Sequence, residues 1–441
     1  MEMAITMQLP DPGRIGEEEI LARHIRLAEV LEGKRPLDWF DLETFIYDAS
    51  CPTIPGKRVA LWSIATMKAC LKEAFVVKAQ QAPEILTIYP FFALNFLPGA
   101  NDVPRVYAEV FRFALQLSSL QPLARFGGIL RALRTSLQAV LWYHTQLQFE
   151  VASLAQQAGW QVQLELPYGN GTRNKSDVCL SRGEARYPVE AVTLRLSESG
   201  RKKRLYADRL FNWSIQFGVD IVGRLGEPWS EGAEEERQWV QKALGAIVSA
   251  RKSGLLAIVY SPHGGSLTFS RAAGKIGTTT FHDAESNEDI WDRLRTALSQ
   301  KNKQASGNLV WLRMGDYAGL WHWSGYREMS LEEKARSLTP LVQEALDSLP
   351  HIAGVILSPG IEPDYAPAEH ASGMFYSVSG AVAVRCALPG TCIRESIVIP
   401  RTGLDADARS FAALYEREDT WLDWALGRAG HPPFHELVRD L

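Results

Sequence analysis

The sequence predicts an α/β protein with a mixed central sheet and an all-helical N-terminal region. Up to about residue 135, apolar residues recur at helical spacing between proline-containing breaks. One amphipathic helical pattern at 136–158 is then followed at once by three strand-like segments. Farther along, a strand, helix, strand order over 308–357 is typical of a parallel connection. We therefore expect helices packed on a sheet with both antiparallel and parallel neighbours.

The N-terminal region is predicted to be a helical arm or domain over 1–135. Apolar residues spaced three and four apart predict helices at 17–31, 60–80 and 103–117. Prolines lie between these patterns and separate the helices, because proline cannot continue a helix interior.

A helix that leads into a three-stranded meander is predicted to open the core domain, 136–360. The apolar stripe of 136–158 has one polar member, His144. Alternating apolar residues then predict three strands, at 161–166, 177–181 and 187–196. A tight turn at 182–184 separates the last two strands.

The segment after residue 200 is predicted to be helical and then irregular. The basic cluster 201–204 opens a helix that runs to about residue 222, and an acidic run opens another helix at 231–254. The short apolar run 255–260 predicts a buried strand. The segment 261–304 is rich in Gly, Ser, Thr and Asn, which predicts an insertion or mobile loop with a helix near 287–298.

Strand patterns resume in the last third of the chain. The apolar runs 308–314 and 352–357 predict inner strands, joined by a helix at 330–349. A C-terminal extension, 361–441, is predicted to add strand-like edges at 373–386 and 393–399 and a closing helix at 405–426.

The composition of the chain restricts which partners and which cellular location we expect. The 47 basic and 51 acidic residues give a net charge of -4, so a nucleic-acid partner must be held by local basic patches. The five cysteines form no CxxC pair, which favours reduced thiols and a cytoplasmic location. Because no stretch offers about 18 uninterrupted apolar residues, we expect no membrane partner.

Three acidic residues in the central region are the candidates for chemistry: Glu150, Asp177 and Glu190. Metal-dependent phosphodiester hydrolysis needs acidic oxygens that hold Mg2+ beside the scissile phosphate, and usually a nearby cation. Asp177 at the start of one strand and Glu190 inside its neighbour can face the same way across a meander. An ionised Glu190 in a mostly apolar strand is costly unless it meets a metal, a cation or donors.

The order of these residues resembles the core of the PD-(D/E)XK, or restriction-endonuclease-like, nuclease superfamily. That family is similar in presenting an acid on a helix, an Asp on one strand and Glu-x-Lys on the next. The resemblance implies a Mg2+- or Mn2+-dependent nuclease that cleaves DNA or RNA, with Asp177 and Glu190 as metal ligands and Glu150 assisting or polarising water. It covers roughly 60 residues strongly and about 220 loosely.

The sequence departs from this family at the position of the lysine. Glu190-Ala191-Val192 has valine there. Either the cation has moved, with Lys175, Lys202 and Lys203 as candidates, or the site has lost hydrolysis.

Other interpretations stay open. Glu190 on an edge strand or in a salt bridge would need no metal. The chain would then be a catalytically inactive nuclease fold that binds nucleic acid or a protein, or a structural or regulatory interaction protein.

Overall fold

The computed structural model describes most of the chain in two compact units. Unit 1 comprises 1–193, 297–321 and 325–441, and unit 2 comprises 194–296 and 322–324. The predicted boundaries at 135 and 360 both fall inside unit 1. The described residues are 12, 15–49, 52–81, 91, 103–167, 175–193, 207, 210–211, 213–214, 216–226, 234–254, 256–260, 264–274, 277–281, 296, 298, 308–313, 330–358, 374–378, 380–388, 392–401, 405–416 and 418–438.

Helices and strands are both abundant, which confirms the predicted α/β class. The helices are α1 Glu17–Leu31, α2 Trp39–Asp48, α3 Ile54–Leu71, α4 Phe75–Ala79, α5 Val103–Leu120, α6 Phe126–Ser136, α7 Ala139–Gln157, α8 Glu234–Ser253, α9 Leu331–Asp347, α10 Asp405–Glu416, α11 Glu418–Arg428 and α12 Phe434–Leu437. The strands are β1 Gln161–Pro167, β2 Lys175–Arg182, β3 Ala185–Thr193, β4 Val219–Arg224, β5 Ala257–Tyr260, β6 Ser266–Arg271, β7 Thr279–Phe281, β8 Asn308–Arg313, β9 Ile352–Ser358, β10 Met374–Val378, β11 Ala381–Leu388 and β12 Cys392–Pro400.

The described residues up to 135 form helices, as the sequence predicted, and two of the helix starts follow from side-chain capping. Asp38 begins α2 with a capping box in which Asp41 is the second member. The hydroxyl of Thr53 begins α3 by accepting from the Gly56 amide. The helix predicted at 60–80 is divided, because Lys72 after α3 has a φ of 75° that ends the helix before α4.

Unit 1 contains a mixed eight-stranded sheet in the order β1-β2-β3-β8-β9-β12-β11-β10. The pairs β3–β8 and β8–β9 are parallel, whereas the remaining neighbours are antiparallel. Helix α9 joins β8 to β9 and starts with a capping box of Ser330 and Glu333, so the predicted parallel connection is confirmed.

Both faces of this sheet are covered near its centre. On one face Ile356 and Val398 belong to the large core that includes α7, α10 and α11. Helix α9 contacts β9 to β12, and the alternate residues Val355 and Leu357 are equally buried. Strand β9 is therefore enclosed on both sides.

Unit 2 is a four-stranded sheet in the order β5-β6-β4-β7 with α8 on one face. Trp239, Ala243 and Ile247 of α8 pack against Ile221 and Phe269 of the sheet. Unit 2 thus has its own hydrophobic core.

Several sequence predictions are corrected in unit 2. The helix predicted to reach about residue 222 is wrong at its end, because Val219–Arg224 is strand β4. The segment 261–304 holds β6 and β7, so its polar composition reflects two strands with one solvated face. Within the run 255–260, Ala257–Tyr260 is a strand that is buried on one face only: Val259 is 7% exposed, whereas Ile258 is 49% and Tyr260 71% exposed.

Two corrections concern the C-terminal extension. Strand β12 is an inner strand between β9 and β11, although the sequence predicted an edge there. The helix predicted at 405–426 is divided into α10 and α11. No helix within the described residues combines the length and apolarity needed to span a membrane.

Candidate functional site

The candidate site lies where β2 and β3 separate, in front of helix α7. Antiparallel pairing of these strands runs from Arg182 opposite Ala185 to Val178 opposite Val189. One step beyond the last pair, the same register puts Asp177 opposite Glu190. The two acids that the sequence singled out are therefore cross-strand neighbours.

The Asp177 carboxylate is held at both oxygens. Its Oδ2 accepts a hydrogen bond of 2.8 Å from the backbone amide of Ala191. Its Oδ1 lies 3.4 Å from Nε2 of His144. The carboxylate thus continues the β2–β3 pairing beyond the last backbone pair and orients itself toward α7.

Helix α7 contributes two polar side chains to this arrangement. Nε2 of Gln148 donates to the Asp177 backbone carbonyl at 2.7 Å, and His144 lies one turn earlier on the same helix face. Gln148 is only 2% exposed, so its amide is committed inside the protein. Together they fix the start of β2 against α7.

Glu190 is buried in the third strand of the sheet. It is 6% exposed and lies in register with Val310 of the parallel strand β8. Its neighbours Val189 and Ala191 belong to the core that includes α7, so strand alternation puts Glu190 on the opposite face. Burying a carboxylate here requires donors or a cation to offset its lost hydration.

Glu150 is also buried, at 5% exposure, on helix α7. At about 100° per residue, it lies roughly 200° around the helix from Gln148. Helix geometry therefore presents His144 and Gln148 to Asp177, and the role of Glu150 stays a prediction.

The lysine candidates have different positions. Lys175 is at the start of β2, and its Nζ lies 3.0 Å from a carboxylate oxygen of Glu165 in β1. Val192 follows two residues after Glu190 and pairs with Leu312 of β8. Lys202 and Lys203 lie outside the described residues.

Glu165 is a third acid at this end of the sheet, and the sequence analysis missed it. In β1, the pairs on either side of it, Leu164 with Val178 and Leu166 with Ser176, put it level with Asp177. Its φ of 45° interrupts the regular strand. The sequence did contain a sign of this role: Glu165 is an acid in an alternating strand, close to the turn that precedes Asp177.

The donor set fits a hard cation held by few protein ligands. Mg2+ is usually bound by one or two carboxylates, with water and substrate phosphate completing its shell. Each carboxylate oxygen of Asp177 has a second lone pair besides the contact described above. Among the described residues there is no group of three or more His, Cys, Asp or Glu side chains that could hold a metal. The Asp177 carboxylate turns toward α7 and the Glu190 side chain lies on the other face of the sheet, so a cation held by both would require one of the two side chains to rotate.

Sequence reasoning also missed His144 and Gln148 as site residues. His144 was visible as the polar member of an apolar stripe, and a polar residue on a buried helix face needs a partner inside the protein. The identity of that partner depends on contacts between residues about 30 positions apart, which the stripe does not specify.

Comparison of the chain with protein-family models, with curated proteins and with solved structures gives no match.

Proposed function

We propose that this protein is a metal-dependent nuclease that hydrolyses phosphodiester bonds in DNA or RNA. The observation that carries the proposal is the placement of Asp177 opposite Glu190 where β2 and β3 separate. Two carboxylates at neighbouring strand positions are the minimum that a Mg2+-assisted hydrolysis requires.

The order of elements around the pair supports a restriction-endonuclease-like core. Helix α7 precedes the antiparallel strands β1, β2 and β3, and β8 lies parallel to β3. The helix followed by the meander is what the resemblance to the PD-(D/E)XK superfamily implies, and the parallel strand belongs to the mixed sheet that the sequence predicted.

The scattered cysteines favour a cytoplasmic location for the proposed nuclease.

In the proposed site, Asp177 and Glu190 would hold Mg2+ or Mn2+. When bound, such a cation supplies Lewis-acid stabilisation of the charge that develops on the phosphate. The Ala191 amide and His144 keep the Asp177 carboxylate in one orientation. Lys202 or Lys203 is proposed to supply the cation that Val192 does not. Glu150 lies on the other side of α7 from Gln148, so the expected role of Glu150 in assisting water is not part of this proposal.

The test is cleavage of labelled single- and double-stranded DNA and RNA with Mg2+ or Mn2+. We compare wild type with Asp177→Asn and Glu190→Gln. In Asp177→Asn the side-chain carbonyl of the asparagine still accepts from the Ala191 amide, so the fold is retained while one anionic ligand is lost. We expect cleavage to fall by about two orders of magnitude or more in each variant.

Asp423→Asn is the matched control. Oδ1 of Asp423 accepts from the Phe434 amide at 2.7 Å, so it has a comparable structural bond away from the candidate site. Its cleavage rate should equal that of wild type. Equal rates in Asp177→Asn and wild type would contradict the proposal.

A catalytically inactive nuclease fold is the second candidate, and Val192 favours it. In that case Asp177 has only the structural role of holding Ala191 and His144. It predicts nucleic-acid or protein binding without turnover on any substrate. A third interpretation, an interaction protein without nucleic-acid affinity, predicts neither cleavage nor salt-sensitive binding.

A further inference from the structure

One face of the sheet in unit 2 carries apolar side chains that are exposed to solvent. We call this surface the open face and define it by Val222, Arg224, Ile258, Tyr260 and Thr268. Ile221, Val259 and Phe269 alternate with them along the strands and belong to the core under α8. Tyr260 is 71%, Ile258 49% and Val222 39% exposed, and Leu256 just before β5 is 63% exposed.

The strand register arranges the open face in rows across the sheet. Tyr260 lies opposite Ser266, which lies opposite Arg224. In the next row Ile258 lies opposite Thr268, and Thr268 opposite Val222. An aromatic ring and a guanidinium group therefore lie two strands apart in one row, with a hydroxyl between them.

The end of the open face that carries Arg224 is locally cationic. Arg224 is exposed, whereas the one acid on the same side of β4, Asp220, accepts from the amide and the hydroxyl of Thr278, both at 2.8 Å. These hydrogen bonds hold the Asp220 carboxylate without removing its charge, and Asp220 lies four residues along β4, about 13 Å, from Arg224. Among the described residues, the row of Arg224, Ser266 and Tyr260 contains no acid.

The area of the open face is too small for a stable pairing of two copies. At about 4.8 Å between strands and 3.3 Å per residue, three strands of five residues cover roughly 240 Å2. A specific protein interface buries about 800 Å2 on each partner. The dimensions fit a few stacked bases, and an aromatic ring near a cation is the combination that contacts bases and phosphates in single-strand binding.

We propose that the open face binds unpaired nucleotides of single-stranded DNA or RNA. A base stacks on Tyr260, Ile258 and Val222 offer flat apolar contact to its neighbour, and Arg224 contacts phosphate. This inference rests on the proposed function, which supplies nucleic acid as the class of partner. Binding at the open face does not itself require cleavage at Asp177.

The test is fluorescence anisotropy of the full chain with labelled single-stranded 20-mers of dT and U, in EDTA so that no metal-dependent cleavage occurs. We expect Tyr260→Ala to weaken binding about tenfold, while Tyr260→Phe keeps the ring and binds like wild type. Arg224→Gln should lower the slope of log affinity against log salt by about 0.7. Val248→Ala, at a residue that is 49% exposed on α8, is the matched control and should bind like wild type.

Three results would overturn the inference. These are no binding of either strand by wild type, equal affinity of Tyr260→Ala and wild type, and a wild-type dimer that Tyr260→Ala makes monomeric. The last result would assign the face to a second copy. Binding that depends on Tyr260 in a protein that cleaves nothing would support the inference while removing the proposed hydrolysis.

Discussion

Strands β9 and β5 have similar sequences, but β9 is buried on both faces and β5 on one face only. Both are short apolar runs that predict inner strands. In β9, Val355, Ile356 and Leu357 are at most 1% exposed. In β5, Ile258 and Tyr260 are about half or more exposed.

The difference comes from the layers around each sheet. The larger sheet has α9 on one side of β9 and the core of α7, α10 and α11 on the other. The smaller sheet packs one face on α8. An apolar run thus predicts a strand, whereas its burial depends on elements elsewhere in the chain.

The largest expected effect comes from the same substitution in the two strands. Ile356→Ala removes a side chain that is 0% exposed and should lower the free energy of unfolding of unit 1 by about 2–5 kcal/mol. Ile258→Ala removes an exposed side chain and should change the stability of unit 2 by about 0.5 kcal/mol or less. Urea unfolding of both variants checks this, and equal losses would contradict the difference in burial.

A smaller effect is expected from a close approach within unit 2. A Cβ on Gly223 would lie 2.0 Å from the carbonyl oxygen of Ser266 in the neighbouring strand, and φ is 149°. Gly223→Ala should therefore destabilise unit 2 by about 1–3 kcal/mol.

Gly245→Ala is the control in the same unit. A Cβ at this position on α8 meets nothing within 4 Å, so alanine should stabilise the helix by about 0.5–1 kcal/mol. Hydrogen exchange of the β4 and β6 amides measures both changes. Slower exchange in Gly223→Ala would contradict the predicted clash.

The smallest expected effect is a pH dependence within unit 1. Burial lowers the pKa of His431, whose ring lies 5.1 Å from that of Trp62. The folded state favours the neutral ring. The protein therefore has its full free energy of unfolding at pH values above the unfolded pKa of His431, about 6.5. Stability then falls as pH drops toward the lower folded pKa.

Unfolding measured at pH 7.5 and pH 5 tests this prediction. His431→Phe should reduce the loss of stability at pH 5. His435→Phe, at a side chain that is 74% exposed, should leave the loss as in wild type. An unchanged loss in His431→Phe would assign the pH dependence to other groups.

Sequence patterns predicted helices and strands well where consecutive elements of the chain pack on each other. Helix α7 and strands β1 to β3 follow their patterns closely, because each apolar stripe faces a core made by the next element. Strands β4, β6 and β7 were missed. Their polar face is solvated, and their pairing joins segments that the sequence does not mark as partners.

The candidate site was predictable in its acids and not in its supporting residues. Asp177 and Glu190 occur at strand positions that the alternation specifies. The contact of Asp177 with His144 depends on how α7 is rotated on the sheet, which only the packed core determines.

The contact between α3 and the last helix bears on the order in which the protein is made. The Thr53 amide donates to the Leu437 carbonyl at 3.0 Å, and a Cβ on Gly56 would lie 1.9 Å from the same oxygen. The Thr53 and Leu437 partners are 384 residues apart. During synthesis on a ribosome the N-terminal helices emerge first, yet their final packing waits until residue 437 has been added. The start of α3 therefore acquires its final contact only when the C-terminal segment has been made, although α3 itself is formed near the beginning of the chain.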